Sequence, residues 1–323
     1  MSVKTVAVLT AGGDAPGMNA AVRAVTRSAL ALGLRVIGVK RAYEGLVQGA
    51  MAELGARDVG GIIQRGGTIL QTARFPEFAK ADVQHAALRQ LNAQGVDALV
   101  AIGGDGTMRG AAALESLGFP AVGIPASIDN DVHGTDISIG VDTALNTILD
   151  AIDKLRDTAS SHQRAFIVET MGRNCGYLAL MSGIVSGAEM TLIPEREASA
   201  DEVAAAVRAA HDRGKTHAIV VVSEGAKLHA SALKEKLDGM HTGFDFRVTI
   251  LGHVQRGGSP SAWDRLIAAR LGVAAVERLQ KGESGVMVGL KAREIVATAL
   301  AEVAGRQRET DLEYYRMARM LAQ

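Results

Sequence analysis

Cysteine is nearly absent from this chain. Of 323 residues only Cys175 is one, so no intramolecular disulfide and no cysteine-based metal cluster can form, which fits a reducing compartment. Aromatic residues make up 3% of the chain, too few for the stacking platforms that bind single-stranded nucleic acid. An excess of either charge is also missing, since 35 Lys and Arg balance 35 Asp and Glu. No overall field then draws the chain to nucleic acid or an anionic membrane, and any anion site must be a local cluster of cations. No apolar run approaches the roughly 18 residues of a membrane span. The apolar run TVAVLT breaks at AGGD after six residues, too short and wrongly flanked for a secretory leader. The expectation is a cytoplasmic protein with neither nucleic acid nor membrane as partner. Low-complexity segments, short-period repeats and Pro/Ser-rich linkers are lacking as well.

What is present is apolar and tightly turned. Hydrophobic residues reach 48%, with 37 glycines, ample for a buried core, and the length suggests two domains or one large α/β unit. Short β-rich runs recur as TVAVLT, LRVIGV, DALVAIGG, AVGIP, AFIVETMG, HAIVVVSEG and RVTILGH. Segments of helical spacing lie between many of them, the signature of a parallel-sheet α/β protein. The clearest helix is GVDTALNTILDAIDKLRDTASSH, where Val141, Leu145, Ile148, Ile152 and Leu155 recur every three or four residues and define one packed face. The first boundary between two α/β lobes is expected near residue 139.

Ligands of α/β sheets sit beyond the carboxyl ends of the strands, so the strand-to-helix turns matter most. In TVAVLTAGGDAPGMNAAVRAVTR, Gly12, Gly13, Asp14, Pro16 and Gly17 separate a strand from a helix. Glycines let backbone NH groups approach a ligand, and a helix start favours an anion. Tight corners use the same residues, however. In DALVAIGGDGTMRGAAAL, Gly103, Gly104, Asp105, Gly106 and Thr107 repeat the pattern. Asp105 could there hold Mg²⁺ while the amides face phosphate, or could serve as a helix N-cap. The third turn, GIPASIDND, sets Asp129 and Asp131 around an asparagine, which in isolation reads as a solvated acidic turn. Carboxylates alone cannot bind phosphate. Near other strand ends lie Arg74, Arg164, Arg173, Arg247 and Arg256, with His253. Each singly fits an exposed surface arginine, but together they match the guanidinium forks that a sugar phosphate requires.

The ordered set AGGDAPGMNAAVR, GGT with ARFPEF, IGGDGT, SIDND, SSHQR, MGR and LGHVQRGGSP resembles the bacterial-type ATP-dependent 6-phosphofructokinase family, from Thr5 to about Gly289. The resemblance implies two abutting three-layer α/β lobes with mainly parallel sheets and an active site in the cleft between them. Residues 1–138 with about 252–303 would form the ATP-binding lobe, and 139–251 with about 304–323 the sugar-phosphate lobe. It implies phosphoryl transfer from ATP, with Mg²⁺, to the 1-hydroxyl of fructose 6-phosphate. Asp129 would accept the hydroxyl proton, with Asp131 orienting the site or helping hold Mg²⁺, Ser127 supplying a hydroxyl beside them, and Arg173 neutralising the moving phosphoryl group. Gly13, Arg74, Phe75, Gly104, Asp105, Gly106 and Thr107 match the nucleotide site, Asp105 being the Mg²⁺ residue. Met171, Gly172, Arg173 and Glu224 match the sugar site, and Arg164, Arg247, His253 and Arg256 the grip on its phosphate. Arg23, Arg27, Arg156, Glu189, Arg213 and Lys215 match an effector site for ADP or phosphoenolpyruvate. Some of these arginines come from a neighbouring subunit in the family, which implies a homo-oligomer, usually a tetramer.

The chain departs from the family pattern at three positions. Ala126 replaces the usual Gly, Ser127 the usual Thr, and Ala56 stands where a further effector arginine is expected, with Arg57 adjacent. Diphosphate-dependent relatives carry Lys at the position of Ala126 and Asp at that of Gly106, so neither residue favours diphosphate as donor. A catalytically silent sensor on the same fold would be expected to have lost Asp129, Asp105 or Arg173, and all three are present.

Overall fold

The computed structural model describes residues 3–308 and 310–322. In chain order its main elements are β1 (Thr5–Ala11), α1 (Met18–Ala31), β2 (Arg35–Val39), α2 (Ala42–Gln48), β3 (Met51–Glu53), α3 (Ala81–Ala93), β4 (Ala98–Gly103), α4 (Asp105–Ser116), β5 (Ala121–Pro125) and α5 (Val141–His162). They continue with β6 (Arg164–Thr170), α6 (Tyr177–Ser186), β7 (Met190–Leu192), α7 (Ala200–Asp212), β8 (Ala218–Ser223), α8 (Ala230–Leu237) and β9 (Asp245–Ile250). The last are α9 (Ala262–Gln280), β10 (Val286–Lys291), β11 (Glu294–Ala299), α10 (Leu300–Gly305) and α11 (Leu312–Leu321). The chain divides into one unit of Met1–Thr143 with Arg256–Arg308 and another of Ala144–Gln255 with Glu309–Gln323.

The first unit is built on a seven-stranded sheet in the order β11-β10-β5-β4-β1-β2-β3. Its five inner strands pair in parallel, and only the edge strands β3 and β11 run antiparallel. Every residue of β1, β4 and β5 is buried, because helices cover both faces, and this is why these strands read as continuous apolar runs without alternation. On one face α1 packs against α9. Gly272 permits the approach, since a Cβ there would fall 2.5 Å from the Cβ of Ala24. On the other, Met108, Ala111 and Leu114 of α4 join Leu9, Leu99, Tyr43 and Leu300 in one cluster.

The second unit carries a four-stranded, wholly parallel sheet in the order β7-β8-β6-β9. Ile167, Val220 and Val222 from its strands pack with Val203 and Val207 of α7 and Leu233 of α8. A capping box starts α7, in which Ser199 accepts from the amide of Glu202 and Glu202 returns the bond.

All seven β-rich runs of the sequence are strands, and the periodic segment is α5, which spans Val141–His162. Four strands had no sequence signal. β3 and β7 have three residues each, too few to alternate. The β10–β11 hairpin turns on Ala292 and Arg293, with φ of 47° and 73°. Left-handed turns of this length are normally marked by Asn-Gly or Asp-Gly, and this one is not. The units divide after residues 143, 255 and 308, whereas the sequence placed the divisions after 138, 251 and 303. At the first of these, the start of α5 is tied to α9 of the same unit.

The tie is Asp264, a fully buried carboxylate in the first turn of α9. Its Oδ1 accepts from the Gly140 amide at 2.8 Å, and its Oδ2 from the Thr143 amide at 2.8 Å and the Thr143 hydroxyl at 2.5 Å. Ser261 closes the ring: its hydroxyl accepts from the Asp264 amide and donates to Asp142, while its amide donates to the Thr143 hydroxyl. Burial pushes the Asp264 carboxyl up, opposed by the bonds from Thr143 and Gly140. Removing it leaves buried amides without an acceptor. Asp264→Ala is expected to lower stability by about 3 kcal/mol, seen as a fall in the urea midpoint, and an unchanged midpoint would contradict this role.

Candidate active site

In the first unit, three strand ends bring Gly- and Asp-rich turns together. The β1 turn leaves Ala11 through Gly12, whose carbonyl accepts from the Thr72 hydroxyl at 2.6 Å. Gly17 then caps α1 with φ 107°, and a Cβ there would meet Ile139 at 2.6 Å. Gly13 faces Arg256: its missing Cβ would lie 2.2 Å from Nη1 of that arginine, which donates to the Asp14 carbonyl at 3.1 Å. Arg256, expected on sugar phosphate, thus rests nearly buried against the β1 turn.

The β4 turn opens α4 with Gly104 as the cap and Asp105 as first residue, with no side-chain cap bond. Asp105 pairs instead with Arg109 one turn on. Burial raises the Asp105 carboxyl, Arg109 draws it down, and the charge of Asp131 pushes it up, which places these two acids within electrostatic reach. Thr107 is buried, and its hydroxyl is an orphaned polar atom. Gly104 abuts Ser127, since a Cβ on it would lie 3.6 Å from the Ser127 Cβ. Gly106 faces open space apart from Arg109 Nη2, 3.8 Å from its absent Cβ. Arg74 is exposed, and Phe75 beside it packs against the core cluster.

The β5 turn explains SIDND. The Ala126 amide donates to the Gly103 carbonyl at 2.9 Å, which clamps this turn to the end of β4. The Ser127 hydroxyl accepts from the Asp129 amide and donates to Asp131 Oδ1, each at 3.3 Å. Asn130 takes φ 54°, a conformation that Asn tolerates better than most residues. Its side chain donates to the Asp136 carbonyl and accepts from the Ser138 amide. The asparagine between the acids is therefore a brace. Asp129 is 3% exposed, no solvated turn. The Asp131 carbonyl accepts from the Arg308 amide at 3.1 Å.

These residues fit Mg²⁺ held with a nucleotide. No group of three or more His, Cys, Asp or Glu capable of holding a metal exists among the described residues. Magnesium on nucleotide phosphates needs only one or two carboxylates, the rest of its shell being phosphate oxygen and water. Asp105, with Asp131 near it, supplies that hard-oxygen set.

In the second unit, Met171, Gly172 and Arg173 leave β6 in a bent loop, with φ of 143° at Gly172 and 50° at Arg173. Glu224 Oε1 holds the bend by accepting from the amides of Gly172 at 3.2 Å and Arg173 at 2.9 Å. One oxygen of the acid expected at sugar hydroxyls is thus committed to the backbone. Arg173, Arg247 and His253 are exposed, and Arg164 starts β6 opposite Asp245 of β9. Gln255 was not singled out from the sequence, yet it is fully buried. Its Oε1 accepts from the Met171 amide at 3.2 Å and its Nε2 donates to the Gly252 carbonyl, so it positions both loops. Its signal lay inside HVQRGG, hidden between the more conspicuous His253 and Arg256.

The effector candidates are only partly brought together. Arg156, Glu189 and Lys215 meet around His217, a residue without any distinguishing sequence signal. Lys215 Nζ donates to Glu189 Oε1 at 2.8 Å, and the Ile219 amide to Oε2 at 2.5 Å. Arg156 reaches His217 Nε2 at 3.4 Å and the Ser186 carbonyl, while Ser160 contacts His217 Nδ1. Burial and Arg156 push His217 down. Arg213 donates to the Ala322 carbonyl. Arg23 and Arg27 share one face of α1 in the first unit.

A parallel sheet whose strand ends carry glycine turns, a buried carboxylate and a second, shallower acid is an arrangement suited to phosphate chemistry. Residues 5–279 match the phosphofructokinase family model. The chain is 51% identical to ATP-dependent 6-phosphofructokinase 1 of Thermus thermophilus, over 99% of this chain and 100% of that protein. It is 50% identical to the ATP-dependent 6-phosphofructokinase of Clostridioides difficile, again over 99% and 100%. The T-state crystal structure of Pichia pastoris phosphofructokinase superposes with a TM-score of 0.89 at 38% identity, covering 94% of this chain and 36% of that longer one. A pyrophosphate-dependent phosphofructokinase from Marinobacter aquaeolei gives 0.87 at 20% identity over 99% and 91%, a likeness of fold alone. The chain belongs to the phosphofructokinase family.

Proposed function

We propose that this chain is an ATP-dependent 6-phosphofructokinase: it transfers the γ-phosphoryl group of ATP to the 1-hydroxyl of fructose 6-phosphate, forming fructose 1,6-bisphosphate and ADP, the committed step of glycolysis. The observation that carries the reading is the buried Asp129 carboxylate in a braced turn clamped to the Gly104–Asp105 turn, in a chain half identical over its full length to enzymes of that name. A sugar hydroxyl is a poor nucleophile, and a carboxylate within hydrogen-bond reach takes its proton as the bond to phosphorus forms. Asp129 has that role here. Mg²⁺ at Asp105 would offset charge on the ATP phosphates, and the amides of Gly13 and Gly104–Thr107 would face them, with Arg74 and Phe75 lining the nucleotide site. Arg173 would neutralise the transferred group. Met171, Gly172 and Glu224 would hold the sugar, and Arg164, Arg247, His253 and Arg256 its phosphate.

The cytoplasm is the compartment that suits such an enzyme. Cys175 is a buried thiol outside any disulfide, and no helix among the described residues is long and apolar enough to cross a membrane.

As general base, Asp129 is needed for turnover more than for binding. Asp129→Ser is expected to lower kcat by roughly 10² to 10⁴, with a smaller change in KM for fructose 6-phosphate. A variant that kept most of its kcat would overturn the assignment.

The donor is ATP rather than diphosphate. Gly106 faces open space apart from Arg109, room that an α-phosphate would need, and a second carboxylate beside Asp105 would oppose it by a few kcal/mol, to order of magnitude. Assayed side by side, ATP is expected to support turnover and diphosphate little or none, and Gly106→Asp to lose the use of ATP. Faster turnover with diphosphate in the unmodified protein would defeat this reading.

Regulation rests on the cations around Arg156, Lys215 and Arg213 with Arg23 and Arg27, which would bind ADP or phosphoenolpyruvate in a homotetramer, Glu189 meeting the effector's Mg²⁺. In the structure Glu189 is held by Lys215, so the effector would have to displace that ammonium or bind beside it. The combined change Arg23→Ala, Arg27→Ala is expected to blunt the response of the fructose 6-phosphate saturation curve to both effectors. An unaltered response excludes these arginines.

A further inference from the structure

The residue that pairs with Asp105 has no part in the reaction as derived above. Arg109 stands one turn along α4 from Asp105, and the two side chains form an ion pair. The pair is unequal: the carboxylate is 14% exposed and the guanidinium 57%. Asp105 has lost most of its water at the head of α4, and Asp131 adds a second negative charge to its surroundings. An acid in that setting calls for a cation. Arg109 Nη2 also lies 3.8 Å from where a Cβ on Gly106 would stand, so the guanidinium flanks the same open turn that is left for nucleotide phosphate.

We propose that Arg109 is the resident cation of the metal position: in the nucleotide-free protein its guanidinium occupies Asp105, and it gives up that carboxylate when a magnesium–nucleotide complex arrives. This rests on the reading of Asp105 as the magnesium residue. Arg109 is then a positioning residue with two opposite effects. Toward a nucleotide without metal it is a helper, because it masks the charge of Asp105 that would repel the phosphates. Toward the magnesium complex it is a competitor, because the guanidinium on Oδ2 takes one of the carboxylate's two oxygens and repels a second cation brought to the other. The two effects change the metal dependence of binding in the same direction when Arg109 is removed. A simple surface ion pair of α4 would leave that dependence alone.

The readout is the ratio of dissociation constants for the β,γ-imido analogue of ATP, measured by calorimetry in EDTA and in Mg²⁺. Position 109 is exposed on a helix flank, so substitutions there are compatible with folding. Arg109→Leu is expected to raise the ratio about fivefold, the scale of a partly exposed ion pair, whereas Arg109→Lys, which keeps the charge, stays close to the unmodified protein. A ratio in Arg109→Leu within about twofold of the unmodified protein would overturn the proposal. Asp105→Asn separates the role of the arginine from that of the acid: it is expected to bring the ratio toward one and to abolish any further effect of Arg109→Leu. A ratio unaltered in Asp105→Asn would overturn the magnesium reading of Asp105 itself.

Discussion

The first unit depends on one buried carboxylate held by hydrogen-bond donors. Asp264 joins the start of α9 to the Gly140–Thr143 segment, and through that link it steadies the loop that carries Asp129. Gly140 ends the loop that begins at Ala126, and Ile139 within it bonds Pro125 and Ser127 at the other end. Ile139 also fills the space beside Gly17 at the cap of α1, while α9 and α1 pack against each other further along. The loop carrying Asp129 is thus fixed at both ends and from the side. Burying an ionised group is unfavourable unless its bonds are satisfied, and here several donors converge on it, so loss of any part of the loop geometry would leave that charge exposed to an apolar interior.

Charge within the site is arranged by distance from solvent. Asp129 is buried and braced through Ser127, and Asp105 lies shallower with Arg109 outside it. Asp131 stands between in its influence, bonded to Ser127 and felt by Asp105. As proposed base and proposed magnesium residue, the two acids differ in depth, one enclosed by its own turn and the other shallower at the head of α4. Asp129 is buried, whereas the arginine paired with Asp105 is more than half exposed. In the second unit Glu224 and Gln255 act on backbone amides rather than charge, holding the Met171–Arg173 bend in a conformation that the left-handed φ of Arg173 makes costly without them.

Much of this was legible in the order of residues. The buried parallel strands announced themselves because a strand covered on both faces must be apolar throughout, and α5 because a half-buried helix must repeat its apolar residues. The Gly-Gly-Asp turns and SIDND were visible because runs of glycine and acid at strand ends stand out from the apolar strands before them. The β10–β11 hairpin was not legible, since Ala292 and Arg293 adopt left-handed angles without the residues that usually signal them. Nor was the place of Arg256, whose guanidinium lies against Gly13, far away in sequence.

By itself, then, the sequence determined the fold class and the family, and singled out the glycine- and acid-rich turns, all of which rest on local periodicity and on short motifs. Only the tertiary structure decided which partners those residues take. Asp264 reading as an ordinary residue of α9, Gln255 hidden between a histidine and an arginine, Asn130 as a brace, and Arg109 as the cation on Asp105 all depend on hydrogen bonds and ion pairs set by how the elements pack. The bonds of Asp264 to Gly140 and Thr143 and of Gln255 to Met171 join residues far apart in the chain, and even the short-range bonds of Asn130 and Arg109 follow from folded geometry that no residue pattern records.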